Sequence, residues 1–333
     1  MTPAPRVVII GAGLMGRWHA HAARQAGAKV VAISDTNAPR AEELARRLGV
    51  RTLSAERWLE QIDADVAHIC TPLASHAELA TGALRAGLHT VVEKPLAATL
   101  AETRRVLEIA HTAGRHIIPV HQFPFQVGIG KLRKARSYLG QLVRLDFTTF
   151  TAGGEGRNAA GRRDVVLEIL PHPISLFHAL GFGTLATLDW SFQILTDNDF
   201  AATAESHGVE LSVRVSLRAR PTRNQLEAAA TGGTALADLY HGFAWINRGG
   251  ATRRDKLFGP FRTGLGVAST AATNLASRVV QNEPAYPGLR ALLATFYRTL
   301  DGGEPPIQEQ EILDAAAFAE VASAAYSNQS GRG

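Results

Sequence analysis

Val7-Val8-Ile9-Ile10 runs without a break into Gly11-Ala12-Gly13-Leu14-Met15-Gly16, and no other feature of the chain restricts its fold as tightly. A short β-branched run suits a strand buried on both faces. The glycines that follow permit a tight turn and then remove the side chain where the next helix must press against the strand. Further apolar runs at Lys29–Ser34, Val66–Thr71, Thr90–Glu93 and Ile117–Val120 alternate with helical patterns at about Leu14–Ala26, Pro39–Leu48, Ser75–Ala86 and Leu100–Ala113. Such alternation requires parallel strands joined by right-handed helical crossovers.

After about residue 122 the pattern changes. Val143–Phe150 and Val209–Leu217 alternate apolar and polar positions, as half-buried strands do. Leu185–Ile194, Asn224–Ala230 and Ala235–Tyr240 are further strand candidates. Leu289, Leu292, Leu293, Phe296, Tyr297 and Leu300 recur at helical spacing, and an alanine-rich helix is expected from about Glu309 to Tyr326. The expected fold class is α/β: a Rossmann doubly wound parallel sheet over residues 1–122, then an α/β domain with a largely antiparallel open sheet over residues 123–333.

The chain has 333 residues, 46% of them hydrophobic and 20% charged, enough apolar content for cores of ordinary size. A single cysteine, Cys70, excludes a disulfide framework within the chain. No basic segment precedes a long apolar stretch at the start, and no run of about 18 apolar residues occurs, so a cytoplasmic protein without a membrane span is expected. The net charge of +5 comes mostly from dispersed arginines. No nucleic-acid-binding module accompanies them, so no nucleic-acid partner is expected. A surface that favours anionic small molecules and one that merely keeps the chain in solution both remain open.

A glycine motif between a strand and a helix fits dinucleotide binding, because the helix N-terminus offers unpaired N–H groups to a pyrophosphate. Gly11 serves the turn, Gly13 the close approach of the phosphates, and Gly16 the helix–strand packing; Leu14 and Met15 lie between them. Asp35 follows about twenty residues later at the end of the second strand, placed to accept hydrogen bonds from the ribose hydroxyls and to repel a 2′-phosphate. NAD is therefore expected, with Arg40 leaving NADP open; capping of the next helix is the alternative role for Asp35. Thr71-Pro72 ends the Val66–Thr71 strand, where a doubly wound sheet exposes its ligand crevice. Ser75 or His76 can line the nicotinamide half, although a surface position at a helix start is the expectation for His76.

Glu93-Lys94-Pro95 ends the Thr90–Glu93 strand. Together with the glycine motif, Gly16-Arg-Trp-His19, Thr71-Pro72 and a later helical histidine, it makes the chain resemble the Gfo/Idh/MocA oxidoreductases over nearly its whole length. The resemblance implies NAD-dependent oxidation or reduction of a sugar, sugar derivative or cyclitol, and a homodimer or homotetramer. It implies that Lys94 binds and polarises the reacting oxygen, with Glu93 orienting it or packing beside it and Pro95 open to a cis bond. In Glu168-Ile-Leu-Pro-His172-Pro-Ile-Ser175, His172 matches the family's proton-carrying histidine. The segment departs from the family pattern: Glu168 stands for the first Asp, Leu170 for the glycine and Ser175 for the trailing Asp. On a continuous helix Glu168 and His172 would share a face, which would let Glu168 assist.

His121-Gln122 follows the Ile117–Val120 strand and is a candidate for contacts with substrate hydroxyls, with a structural role as the alternative. Asn158, Arg162 and Arg163 lie in a glycine-rich stretch before the histidine segment. Arg248, Arg253, Arg254, Lys256 and Arg262, against Asp255, form a basic run for which an oligomer contact or a solvated loop is expected. No metal-ligand spacing occurs, so no metal is expected. The sequence leaves two alternatives to a dehydrogenase: a redox-neutral epimerase or lyase that uses bound NAD transiently, and a non-catalytic NAD-binding regulatory subunit.

Overall fold

The structure, a computed structural model, describes residues 3–249 and 252–330. Two compact units emerge: Met1–His121 with Leu289–Ala317, and Gln122–Gly288 with Phe318–Gly333.

The first unit is built from β1 (Arg6–Ile10), α1 (Leu14–Gln25), β2 (Lys29–Ser34), α2 (Ala38–Leu48), β3 (Arg51–Leu53), α3 (Trp58–Gln61), β4 (Val66–Ile69), α4 (His76–Arg85), β5 (His89–Val92), α5 (Leu100–Ala113) and β6 (Ile117–Pro119). Its six strands are parallel in the order β3-β2-β1-β4-β5-β6, so the chain turns outward in both directions from the β1/β4 pair. That reversal is what opens a crevice at the carboxyl ends of the strands. The central strands are buried on both faces, with Val7, Val8, Ile9, Val66, Ala67 and Ile69 fully enclosed. Helix ends follow local chemistry. Asn37 caps α2 by accepting the Arg40 N–H at 3.1 Å, and a reciprocal Thr99–Glu102 capping box starts α5.

The second unit holds α6 (Val127–Leu139), β7 (Leu142–Phe150), α7 (Ala159–Ile169), α8 (Pro171–Ala179), β8 (Ser191–Thr196), β9 (Asp199–Ser206), β10 (Val209–Ser216), β11 (Arg223–Ala230), β12 (Gly233–Asp238), β13 (Phe243–Arg248) and α9 (Arg253–Val280). Its seven-stranded sheet has the order β13-β12-β11-β7-β10-β9-β8. The β7/β10 pair is parallel and the other pairs are antiparallel. Leu145, Phe147, Leu211, Val213 and Leu226 form the buried side of its central strands.

The chain then returns to the first unit with α10 (Leu289–Tyr297), which packs against α1. The last helix, α11 (Glu309–Ser330), contributes residues up to Ala317 to the first unit and from Phe318 onward to the second. Sequence boundaries at 122 and 123 assign Leu289–Ala317 to the second domain, whereas the structure groups this segment with the first. The physical reason is burial: Leu289, Leu292, Leu293 and Phe296 are enclosed there, and the Tyr297 hydroxyl reaches His68 on β4.

The expected strands of the first unit are present, together with the short edge strand β3. In the second unit, Leu185–Ile194 divides into a 3-10 turn at Leu185–Thr187 and the strand β8. Strands β9 and β13 and helices α6 and α9 were not anticipated.

Candidate functional site

The glycine loop has the local geometry its sequence demands. Gly11 adopts φ +95°, and a Cβ there would lie 2.5 Å from the Cys70 carbonyl oxygen. A Cβ on Gly16 would lie 1.8 Å from the Gly11 carbonyl oxygen, so α1 meets β1 with no room for a side chain. Around Gly13 the opposite holds: a Cβ would meet nothing within 4 Å. Gly13 is the N-cap of α1 and supplies no side-chain cap, so this helix start presents backbone N–H groups beside open space. That combination fits a dinucleotide pyrophosphate.

Asp35, at the end of β2, accepts the Ala12 N–H at 2.7 Å through one carboxylate oxygen and the Asn37 N–H at 2.7 Å through the other. The α2 cap is Asn37, so Asp35 instead braces the glycine loop. A carboxylate has about four acceptor positions, and two backbone donors leave capacity for ribose hydroxyls. Arg40 comes within 4.0 Å of Asp35 and is half exposed.

Thr71 and Pro72 follow β4. The Ser75 hydroxyl donates to Thr71 Oγ1 at 2.8 Å. His76 is not the surface residue its helix-start position suggested. It is buried, with Nδ1 2.8 Å from the Pro95 carbonyl oxygen and Nε2 2.8 Å from that of Thr71. The ring thus lies between the Thr71-Pro72 turn and the Glu93-Lys94-Pro95 turn, within hydrogen-bonding distance of a carbonyl from each.

Lys94 is half-buried directly after β5, and the Lys94–Pro95 bond is cis. The neighbouring Glu93 is buried. Its Oε2 accepts the Lys94 N–H at 3.3 Å, and its Oε1 lies 2.9 Å from His19 Nε2. The contacts continue inward: His19 Nδ1 is 3.1 Å from His68 Nδ1, and His68 Nε2 is 3.0 Å from the Tyr297 hydroxyl. Burial alone would push the Glu93 carboxyl up. The hydrogen bond and charge of His19, with the charge and N–H of Lys94, outweigh it and hold Glu93 below the usual range. Burial, reinforced by His19, keeps His68 neutral, and burial with the nearby Cys70 pushes the Tyr297 phenol up.

The remaining candidates divide between the units. His121 is buried in the first, with Nδ1 2.7 Å from Glu311 Oε1 on α11. Gln122 is buried in the second, and its side-chain oxygen has no hydrogen-bond donor among the described residues. His172 is the second residue of α8, buried and stacked on Phe123 with ring centroids 4.2 Å apart. The Ser175 hydroxyl donates to the His172 carbonyl at 2.9 Å. Glu168 belongs to α7, which ends at Ile169, and is exposed where His172 is buried. Pro171 and Pro173 lack the N–H groups that would bond back to Leu167 and Ile169, so the two residues do not ride on one continuous helix. Asn158 is the N-cap of α7, accepting the Gly161 N–H at 2.8 Å, and Arg162 pairs with Asp197 at 3.1 Å.

The basic run is no loop: from Arg253 on it forms the start of α9. The side chains of Arg254, Asp255 and Lys256 lie outside the described residues. Among the described residues no cluster of three His, Cys, Asp or Glu side chains is arranged to hold a metal ion.

Residues 5–121 match the family model described as oxidoreductase family, NAD-binding Rossmann fold. Over these residues the chain is similar to the Gfo/Idh/MocA oxidoreductases. Inositol 2-dehydrogenase 4 of Saccharopolyspora erythraea is 35% identical over 121 residues, which cover 34% of this chain and 35% of that protein. UDP-N-acetylglucosamine 3-dehydrogenase of Acidithiobacillus ferrooxidans is 34% identical over 139 residues, 38% of this chain and 43% of its own length. The matched segment thus spans well under half the length of these curated relatives. At the level of fold the likeness extends further. The solved structure of the Acidithiobacillus enzyme superposes with a TM-score of 0.72 at 20% identity, covering 96% of this chain and 97% of that one. The WlbA dehydrogenase of Bordetella pertussis, solved with NADH and UDP-GlcNAcA, superposes with a TM-score of 0.75 at 18% identity over 98% and 97%.

Sequence reasoning named the glycine loop, Asp35 and the Glu-Lys-Pro turn but gave no role to His19, His68, Tyr297 or Glu311. One signal was available. A histidine inside the apolar run Val66-Ala-His68-Ile69 must be buried, and a buried imidazole needs partners.

Proposed function

We propose that the protein is an NAD-dependent oxidoreductase acting on a hydroxyl or ketone of a sugar, sugar derivative or cyclitol. The observation that carries the reading is the Glu93–Lys94 turn. A lysine at the carboxyl end of β5 follows a glutamate that is itself held by His19, in the unit that carries the glycine loop. Bound NAD supplies the hydride acceptor, or, reduced, the donor. The Lys94 ammonium donates to the reacting oxygen and holds the negative charge that develops there. An imidazole nitrogen of His172 takes the hydroxyl proton in oxidation and returns it in reduction. Gln122 and His121 are assigned to substrate, with His121 oriented through Glu311. The chain's basic excess supports a substrate that carries an anionic group, and the family supports a homo-oligomer.

Replacement tests these roles. Lys94→Ala and His172→Ala are each expected to lower kcat by about 10²- to 10⁴-fold while leaving the Kd for NAD within a few-fold. Loss of NAD binding in both variants would show that the two residues belong to the cofactor site instead.

A further inference from the structure

α9 is amphipathic in the wrong direction for a surface helix. Its 28 residues extend about 42 Å. The side turned to its own unit is small and polar: a Cβ on Gly266 would lie 2.3 Å from Trp245 Nε1, and Asn274 and Arg278 both donate to the His241 carbonyl. The outer side carries Leu257, Phe258, Phe261, Leu265, Leu275 and Val279, with Phe261 72% and Leu265 73% exposed. With Ala268 and Ala272 these residues recur every three or four positions along the helix. An apolar stripe of this length left in water marks a contact surface.

The charge around the stripe says what kind. From Thr252 to Asn282 the sequence has Arg253, Arg254, Lys256 and Arg262 against Asp255 as the only acid, apart from Arg278, which is turned to its own unit. Beside the helix, Tyr138, Trp245, Ile246, Asn247, Arg248 and Arg262 line a cavity of about 340 Å³, where the Arg248 guanidinium stacks 4.1 Å above the Tyr138 ring. A second copy of α9 would bring the same basic excess and a single acid, Asp255. A phosphate-bearing apolar surface satisfies both the stripe and the arginines. Among the described residues no helix is long and apolar enough to cross a membrane.

We propose that α9 attaches the protein to an anionic phospholipid bilayer. Leu257, Phe258, Phe261 and Leu265 enter the acyl boundary, and Arg248 and Arg262 receive a headgroup phosphate at the mouth of the cavity. The inference does not depend on the proposed redox activity.

Co-sedimentation of the full chain with vesicles tests it. The protein pellets with phosphatidylcholine vesicles containing phosphatidylglycerol and stays in solution with phosphatidylcholine alone. Raising salt from about 0.1 to about 0.5 M weakens binding on the order of tenfold. Phe261→Glu with Leu265→Glu lowers binding at least about tenfold, as charge placed on a membrane-facing stripe should. Arg248→Ala with Arg262→Ala weakens binding and flattens its salt dependence. A thermal midpoint unchanged from that of the parent shows that these variants are folded. Failure to pellet with the anionic vesicles, or equal pelleting of the Phe261/Leu265 variant, overturns the proposal. So does a lipid-free dimer that the same variant dissociates, which would assign the face to a second copy.

Discussion

Nε2 of His19 lies 2.9 Å from Oε1 of Glu93, and this buried contact ties the first helix after the glycine loop to the turn that carries Lys94. Glu93 stays ionised because His19 and Lys94 outweigh the cost of its burial. Removing His19 leaves a buried carboxylate without its main donor. His19→Ala is therefore expected to lower stability by about 3 kcal/mol, read as a lower midpoint in urea. With Glu93 no longer held low, unfolding also begins at higher pH on acid titration. A folded carboxylate below its ordinary pKa adds stability above that value, and the stability is lost as pH falls through the folded pKa. An unchanged acid transition in the variant would mean that His19 does not set the Glu93 charge.

Gly13 and Gly16 separate binding from folding. Gly13→Ala adds a methyl where nothing lies within 4 Å, so the fold persists, yet the methyl enters the approach of the pyrophosphate. NAD affinity is expected to fall at least about tenfold, roughly 1.4 kcal/mol, with the thermal midpoint nearly unchanged. Gly16→Ala drives its methyl into the Gly11 carbonyl, and α1 cannot keep its place against β1. Here the midpoint itself falls. Calorimetric titration of NAD beside a melting curve distinguishes the two, and equal behaviour would contradict the loop geometry.

His89 gives the fold a second pH dependence. The His116 N–H donates to its Nδ1 at 3.0 Å, which requires that nitrogen to be unprotonated. Burial first, then the charges of His116 and Arg115, lowers its pKa to about 4, against a partial opposite pull from Asp65. A folded pKa below the unfolded value of 6.5 means that the unfolded chain binds more protons between the two. This contribution is complete above about pH 6.5 and is lost as pH falls towards about 4. His89→Gln, measured by chemical denaturation across that window, is expected to show a shallower fall in stability than the parent.

The first unit was legible because its signals are local. β-branched runs, the glycine spacing and Lys94 at a strand end each carry their meaning within a few residues. The second unit was legible only where hydrophobic contrast is strong. In β9, Phe200-Ala-Ala202-Thr-Ala204 buries alternate positions, but alanines on both faces hide the alternation. α9 was missed because its apolar side faces out and Pro260 and three glycines interrupt it. The return of Leu289–Ala317 to the first unit rests on long-range packing. Nothing near Tyr297 announces a hydroxyl bonded to His68, 229 residues away. The Glu168–His172 pair failed as one helix face for a local reason that was in view, the two prolines at 171 and 173.

The central claim is tested most directly by NADH formation when the purified protein, with NAD, meets a panel of sugars, cyclitols and nucleotide sugars. The account predicts NADH from at least one member of the panel, abolished in Lys94→Ala although that variant still binds NAD. NAD binding without NADH formation from any hydroxyl, and without NADH consumption by the matching ketones, would contradict it.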